Sequence, residues 1–305
     1  MKCFVAGATG FVGQAVAKAL VKQGFQVYGL TSQKSNIQVL DEQKICPIHG
    51  DMRDPSTWQD YVKEADVVIH AAQLSHSARI SPKTSHDIAE TDFSFTEKLL
   101  EYASRCQAFI YTSGAWIYGN CVSLKTEDSP LTPYAIAAYR LNSEAAVLKA
   151  ASQVPTTILR LGMVYGNGGL FKKLTLDPMV NGQRVLIPGS GTQKVSLIHV
   201  EDCAQVYLAC IEKPPSGEVL NVCDCQPTSF ETMVNSLARH LNAKPPIKIP
   251  SWLFRLYVGQ LTSKPVLGNT MIDNSKLIRL LKFDFKYPTY QEGTMAIAQQ
   301  LLKPV

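Results

Sequence analysis

Short apolar runs recur along the first half of the chain, at Lys2–Ala6, Phe25–Leu30, Ile45–His49, Asp66–Ala72, Ala108–Ser113 and Thr156–Leu161. Each is rich in β-formers and of strand length, and Asp66–Ala72 has the apolar, β-branched character of a buried strand. The segments between them repeat with helical spacing. Gln14–Gln23 gathers Val16, Ala19 and Leu20 on one side, and Gly24 ends it. Asn36–Glu42 reads as a short helix or turn, and Pro55–Val62 as a helix with Asp54 as its N-cap. Glu90–Ser104 places Phe93, Leu99, Leu100 and Ala103 at helical intervals, and an alanine-rich helix from about Ile136 ends near Ser152. Strand and helix alternate six times. That pattern predicts a doubly wound, mostly parallel sheet with helices on both faces and ligands beyond the C-terminal strand ends.

From Gly162 glycine and proline become frequent, at Gly166, Gly168, Gly169, Pro178, Gly182, Pro188, Gly189 and Gly191. Val195–His199 and Glu218–Val222 still read as strands, and Asp202–Glu212 and Phe230–Leu241 as helices. Residues 1–161 are therefore expected to form one domain. Residues 162–305 form a smaller C-terminal lobe interleaved with it, so that the whole is a single structural unit.

Composition narrows the class. The chain has 305 residues, 46% hydrophobic and 18% charged, with a net charge of +5 from 30 basic and 25 acidic side chains. The basic residues are dispersed, so nucleic acid is not an expected partner. No apolar run approaches about 18 residues, and neither a span nor another membrane association is expected. Met1 leads directly into the first strand, which leaves no room for a signal peptide. The eight cysteines are scattered. The Cys223–Cys225 pair has no second metal-binding pair beside it, so no metal is expected, and strand alternation would put both thiols on one face. Together these features point to a reducing, cytoplasmic location.

The candidate chemistry sits in the first turn. Gly7, Thr9, Gly10, Phe11, Val12 and Gly13 lie between the first strand and the first helix, with glycines spaced G-x-x-G-x-x-G. One glycine makes the tight turn, the next lets a backbone amide approach a pyrophosphate, and the third packs the helix on the sheet. The helix N-terminus then presents free N–H groups and partial positive charge to a phosphate.

Seven segments in order carry a wider resemblance: GATGFVG (Gly7–Gly13), GDMRD (Gly50–Asp54), VVIHAA (Val67–Ala72), YTSGAWIYG (Tyr111–Gly119), RLGMVYGNG (Arg160–Gly168), SLIHVEDCA (Ser196–Ala204) and DNSKLIRLLKFDFKYPTYQEG (Asp273–Gly293). The chain resembles the extended short-chain dehydrogenases/reductases of the NAD(P)-dependent epimerase/dehydratase group, nearly end to end. The resemblance implies a Rossmann-like α/β fold and a bound dinucleotide. Asp51 and Met52 would bracket the adenine ring, Ala71, Ala72 and Gln73 would follow the phosphates and ribose, and Leu161, Gly162, Met163 and Val164 would lie near the nicotinamide. His70 and His199 read as structural.

In that family a tyrosine handles the proton, a lysine four residues on lowers its pKa, and a serine or threonine polarises the substrate oxygen. Tyr139 occupies the tyrosine position, but Ser143 stands where the lysine belongs. The hydroxyl position falls on Gly114, with Ser113 one residue earlier. Tyr139 and Ser113 are thus the candidate catalytic residues. Arg140 neighbours Tyr139 but projects about 100° away around a helix. NAD-preferring members close the second strand with an acidic residue. Here Thr31, Ser32 and Lys34 occupy that loop, and no carboxylate lies between Gly13 and Asp41. NADP(H) is therefore expected over NAD(H). Relatives acting on nucleotide sugars commonly carry an arginine where this chain has Val195.

The leading expectation is NAD(P)(H)-dependent hydride transfer to or from a carbonyl or alcohol of a small, rather apolar molecule. The alternatives are a nucleotide-sugar epimerase or dehydratase, and a non-catalytic NADP(H)-binding regulatory protein. Trp252, Leu253, Phe254, Leu256, Tyr257 and Val258 form an apolar cluster with three readings: a cap over substrate, burial against a helix, or an interface in a homodimer.

Overall fold

The computed structural model describes residues 1–74 and 80–302. Six strands come from the first half: β1 (Lys2–Ala6), β2 (Gln26–Thr31), β3 (Cys46–His49), β4 (Val67–His70), β5 (Ala108–Gly114) and β6 (Thr156–Leu161). A seventh, Glu218–Val222, joins them from the second half by pairing in parallel with β6. The order across the sheet is Glu218–Val222, β6, β5, β4, β1, β2, β3, and every pairing is parallel. The chain runs outward from β1 through β2 to β3, then returns to lay β4 on the other side of β1. The order reverses between β1 and β4, which is where a doubly wound sheet opens its ligand crevice.

Strand alternation sorts the side chains into two cores. Cys3, Val5, Val67, Ile69, Ala108 and Ile110 face one layer, built from helix α1 (Phe11–Lys22) and the Val200–Glu212 helix. Phe4, Ala6, Val68, Phe109 and Tyr111 face the other, where Trp58, Phe95, Leu99 and Val147 pack. That second layer holds α2 (Pro82–Tyr102) and α3 (Arg140–Ala150). With both faces covered, the inner strands β1, β4, β5 and β6 are buried along nearly their whole length, whereas the edge strand β3 exposes Cys46 and His49.

Several boundaries differ from the sequence pattern. Pro55–Thr57 is a 3₁₀ turn capped by the Asp54 carboxylate, and the α-helical stretch begins only at Gln59. Between them Trp58 leaves the helical region to insert its ring beside Phe4 and Phe95. The expected strand Val195–His199 divides at Ser196, whose hydroxyl and amide bond to the 270–272 segment instead. The Cys223–Cys225 pair lies beyond the strand, which stops at Val222. Cys223 is buried and Cys225 exposed, so they do not share a sheet face. The described residues contain no cluster with metal-ligand geometry, and no helix among them is long and apolar enough to cross a membrane. In the Ser251–Leu267 helix Val258 is buried, whereas Trp252, Leu253, Leu256 and Tyr257 are exposed, so no helix among the described residues covers these four.

α3 buries polar groups. The Arg160 guanidinium on β6 meets the Glu144 carboxylate in two bonds, at 2.6 and 3.1 Å, with both side chains about 5% exposed. Removing one member strands the other charge in the core. Glu144→Ala is expected to lower the unfolding free energy by about 3–5 kcal/mol, measured by urea denaturation; a loss within the range of a surface substitution would show the pair to be dispensable.

Candidate active site at the C-terminal strand ends

The glycine turn is closed on itself. Gly7 has φ +90°, and a Cβ there would lie 2.5 Å from the Ala71 carbonyl oxygen at the end of β4. A Cβ on Gly13 would lie 2.1 Å from the Gly7 oxygen. Gly10 is different: it is exposed, and the nearest atom to a Cβ there would be 3.3 Å away. Two glycines thus let the helix and the neighbouring strand approach, while the third faces outward at the N-cap of α1. No side chain caps that helix start, so its leading amides are free for a ligand. Phe11 lays its ring against Gly168 and Gly169, which ties the turn to the segment that follows β6.

The other expected cofactor residues sit around the same crevice. Thr31 is buried, and its hydroxyl is engaged within its own loop by Gln33 and Asn36, leaving Ser32 and Lys34 exposed. Asp51 is exposed after β3; its carboxylate accepts from the Arg53 amide and its carbonyl from the Trp58 indole. Met52 is half-buried, Ala71 and Ala72 follow β4 directly, and Gln73 is exposed. The Ala71 amide donates to Ala6 at the end of β1. Gly162 and Met163 leave β6 through bonds to Val222 and Ser196, with Leu161 buried and Val164 half-buried beside them.

Strand parity decides which hydroxyl of β5 matters. Thr112 points to the layer of the Val200–Glu212 helix and shares a 2.6 Å bond with the Tyr207 hydroxyl. Ser113 therefore faces the opposite layer, with Tyr111 and α3, whereas Gly114 carries no side chain. Ser113 is 3% exposed, and its hydroxyl has no hydrogen-bond partner among the described residues. The Tyr139 hydroxyl is likewise buried and unpartnered. Burial pushes the Tyr139 phenol up to about 12, against a downward pull from Arg140 and with a further push from Asp92. Each of these orphaned hydroxyls is a donor and acceptor of the kind a substrate oxygen needs, because buried polar groups are rarely left unmatched.

Tyr139 is the residue before α3, not a member of its body. The expected helix start at Ile136 is replaced by turns, with Ala137, Arg140 and Leu141 each bonding three residues back. Arg140 does not project away as a simple helical count suggests. Its guanidinium carbon lies 5.1 Å from the centre of the Tyr139 ring, and Nη1 donates to the Thr112 carbonyl at 2.6 Å. Ser143 is buried and donates to Asp92 Oδ2 at 2.6 Å, the same oxygen that accepts from Tyr111 at 2.8 Å. His70 packs edge-on between Phe95 and Tyr111, and burial pushes it down to about 4. His199 is also pushed to about 4, caps the Val200–Glu212 helix and packs against Tyr287. Both imidazoles are neutral packing groups at ordinary pH.

A cleft of about 210 Å³ opens beside the segment leading to Tyr139, between Pro133, Tyr134 and Ala135 on one side and Gln260, Leu261 and Lys264 on the other. A larger depression of about 840 Å³ lies around Met1, Lys2, Gln26 and Asp66, at the N-terminal strand ends and away from the site.

A seven-stranded parallel sheet with a glycine turn at its switch point defines a dinucleotide-fold protein of the doubly wound class. Residues 3–223 match the family model described as NAD dependent epimerase/dehydratase family, and the chain belongs to that family. An Arabidopsis thaliana relative, the chloroplastic epimerase family protein SDR39U1 homolog, is 24% identical over 98% of this chain and 87% of its own length. The sterol-4-alpha-carboxylate 3-dehydrogenase, decarboxylating, of Dictyostelium discoideum is 24% identical over 74% of this chain and 72% of its own. Among solved structures, human epimerase family protein SDR39U1 with NADPH superposes with a TM-score of 0.81 at 18% identity, covering 98% of this chain and 99% of that one. The UDP-glucuronic acid 4-epimerase of Bacillus cereus with UDP-glucuronic acid and NAD gives 0.80 at 23%, covering 99% and 100%.

The turn geometry separates the glycines experimentally. Gly13→Ala is expected to destabilise the fold by about 1–3 kcal/mol through overpacking, whereas Gly10→Ala at an open N-cap costs less than about 1 kcal/mol. Paired urea melts check this; equal losses at the two positions would contradict the packing described.

Proposed function

We propose that this chain is an NADP(H)-dependent oxidoreductase acting on a carbonyl or alcohol carbon of a small, rather apolar molecule. The observation that carries the reading is that the hydroxyls of Tyr139 and Ser113, the two candidate catalytic residues, are each buried and without a hydrogen-bond partner among the described residues. When bound, the dinucleotide supplies the hydride donor or acceptor. The chain's residues hold it and manage the proton. The amides after Gly10 bind the pyrophosphate, Asp51 and Met52 flank the adenine, and Ala71, Ala72 and Gln73 border the phosphates and ribose. Leu161, Gly162, Met163 and Val164 form the wall on the nicotinamide side. Tyr139 gives a proton to the carbonyl oxygen, or takes one from the alcohol, while Ser113 donates a hydrogen bond to the same oxygen. The cleft between Pro133, Tyr134 and Leu261 suits a small substrate with an apolar body.

Cofactor preference follows from the loop after β2. Thr31 shapes the loop from inside, and Ser32 and Lys34 are its exposed donors. A hydroxyl and an ammonium suit a ribose 2′-phosphate, and no carboxylate stands there to repel it. The human relative solved with NADPH supports this choice. Sugar nucleotides bound by other neighbours are less favoured here, because Val195 replaces the arginine that the family resemblance associates with a diphosphate. A second reading, a dinucleotide-binding protein without turnover, has one observation in its favour: burial holds the Tyr139 phenol near 12.

Calorimetry on the purified chain is expected to show tighter binding of NADPH than of NADH. Ser32→Asp should weaken NADPH by at least about tenfold, the order of one lost charge-assisted contact. Equal affinities in the parent chain would remove the cofactor assignment. Tyr139→Phe should lower turnover by about 10²–10⁴-fold while leaving NADPH affinity intact. If the parent chain binds NADPH but transfers no hydride across a carbonyl and alcohol panel, the non-catalytic reading takes its place.

A further inference from the structure

A phenol buried as deeply as Tyr139 cannot lose its proton near neutrality unless a cation stands against it. The residue that the family pattern would make that cation is Ser143, whose hydroxyl is committed to Asp92. We propose that Arg140 is the positioning cation of this site, held over the Tyr139 ring by the Thr112 carbonyl and flanked by a buried Asp92–Tyr111–Ser143 network. The inference rests on Tyr139 being the proton-handling group.

Four elements converge on it. From the start of α3, the Arg140 guanidinium carbon stands 5.1 Å from the Tyr139 ring centre. From β5, the Thr112 carbonyl accepts from Nη1 at 2.6 Å, and the Tyr111 hydroxyl is turned to Asp92. From α2, Asp92 places a carboxylate in the same buried space, where Tyr111 and Ser143 both donate to Oδ2. From β4, His70 sets Nε2 3.8 Å from Asp92 Oδ1 but is neutral. Tyr207 packs from the other layer and is spent on Thr112. A guanidinium suits the task because it stays charged when buried and its planar fork engages several acceptors at once. Among the groups acting on Arg140, burial opposes its charge. Tyr139 supports it most strongly, ahead of Tyr111 and Asp92. The influence of Arg140 on Tyr139 is downward and that of Asp92 upward, so the two neighbours have opposite signs.

That opposition supplies the test. The chain is produced with fluorotyrosine, whose more acidic phenol brings the titration into the stable pH range. The Tyr139 resonance is assigned with Tyr139→Phe and followed by fluorine NMR in the free protein. Arg140→Met should raise its midpoint by at least about one pH unit, equivalent to about 1.4 kcal/mol. Arg140→Lys should restore part of the shift. Asp92→Asn keeps an acceptor for Tyr111 and Ser143 while removing the charge, and should move the midpoint down. An unmoved midpoint in folded Arg140→Met, equal shifts for the Met and Lys variants, or an upward shift in Asp92→Asn would each overturn the proposal. If Arg140→Met does not fold, the Lys and Asn variants decide alone, with Arg140→Lys near the parent midpoint and Asp92→Asn below it as the supporting result. The titration needs neither cofactor nor turnover. The expected shifts in a protein that transfers no hydride would therefore leave the cation assigned and the oxidoreductase reading lost.

Discussion

The close approach of Gly13 to the Gly7 carbonyl sets the geometry on which the site depends. With no side chain at either position, α1 starts immediately beyond β1 rather than a loop's length away. Its uncapped amides then open into the crevice where the strand order reverses. The same turn abuts the Ala71 peptide at the end of β4, so β1, α1 and β4 meet within van der Waals contact. Behind it, α1 packs on the Val200–Glu212 helix, and Phe11 rests on the Gly168–Gly169 backbone. Around this single backbone contact gather the N-terminal end of α1, the end of β4 and the Gly168–Gly169 backbone.

The opposite wall is polar and buried. The inward side of α3 carries Ser143 and Glu144 beside Val147, with Arg140 at its first turn. Each finds a partner on the sheet or on α2: Arg160 for Glu144, Asp92 for Ser143, and the Thr112 carbonyl for Arg140. Buried charges are costly alone and tolerable when fully paired. Ordering of this kind holds the backbone around Tyr139, whose hydroxyl stays without a partner among the described residues, as do the Ser113 hydroxyl and both His70 nitrogens.

Much of the scaffold was legible because its physics is local. Apolar runs of strand length between amphipathic segments gave β1 to β6 closely, and Thr156–Leu161 and Glu218–Val222 end where the pattern ends. What the pattern could not show was that Glu218–Val222 crosses back to β6, since pairing partners are a long-range property. The start of α3 was misplaced for a different reason. Alanine at 137 and 138 favours a helix, yet the turns there are closed by bonds three residues apart. The polar inner face of α3 also reads as solvent-facing to any periodicity argument. Arg140 was discounted by treating side chains as short spokes at about 100° intervals. A long guanidinium stem drawn to a strand carbonyl escapes that estimate. Ser113 needed the parity of β5, which depends on where the strand begins.

An arginine next to Tyr139, with Ser143 where the family resemblance expects a lysine, differs from that lysine in what it can do. An ammonium shifts its pKa when buried and can pass protons, whereas a guanidinium stays protonated. Arg140 can stabilise a phenolate but cannot relay its proton. His70 and His199, both pushed to about 4 by burial, are uncharged packing groups at neutral pH. The Asp92 carboxylate is occupied as an acceptor by Tyr111 and Ser143. The described groups around Tyr139 on this wall are therefore permanently charged, neutral, or committed as acceptors.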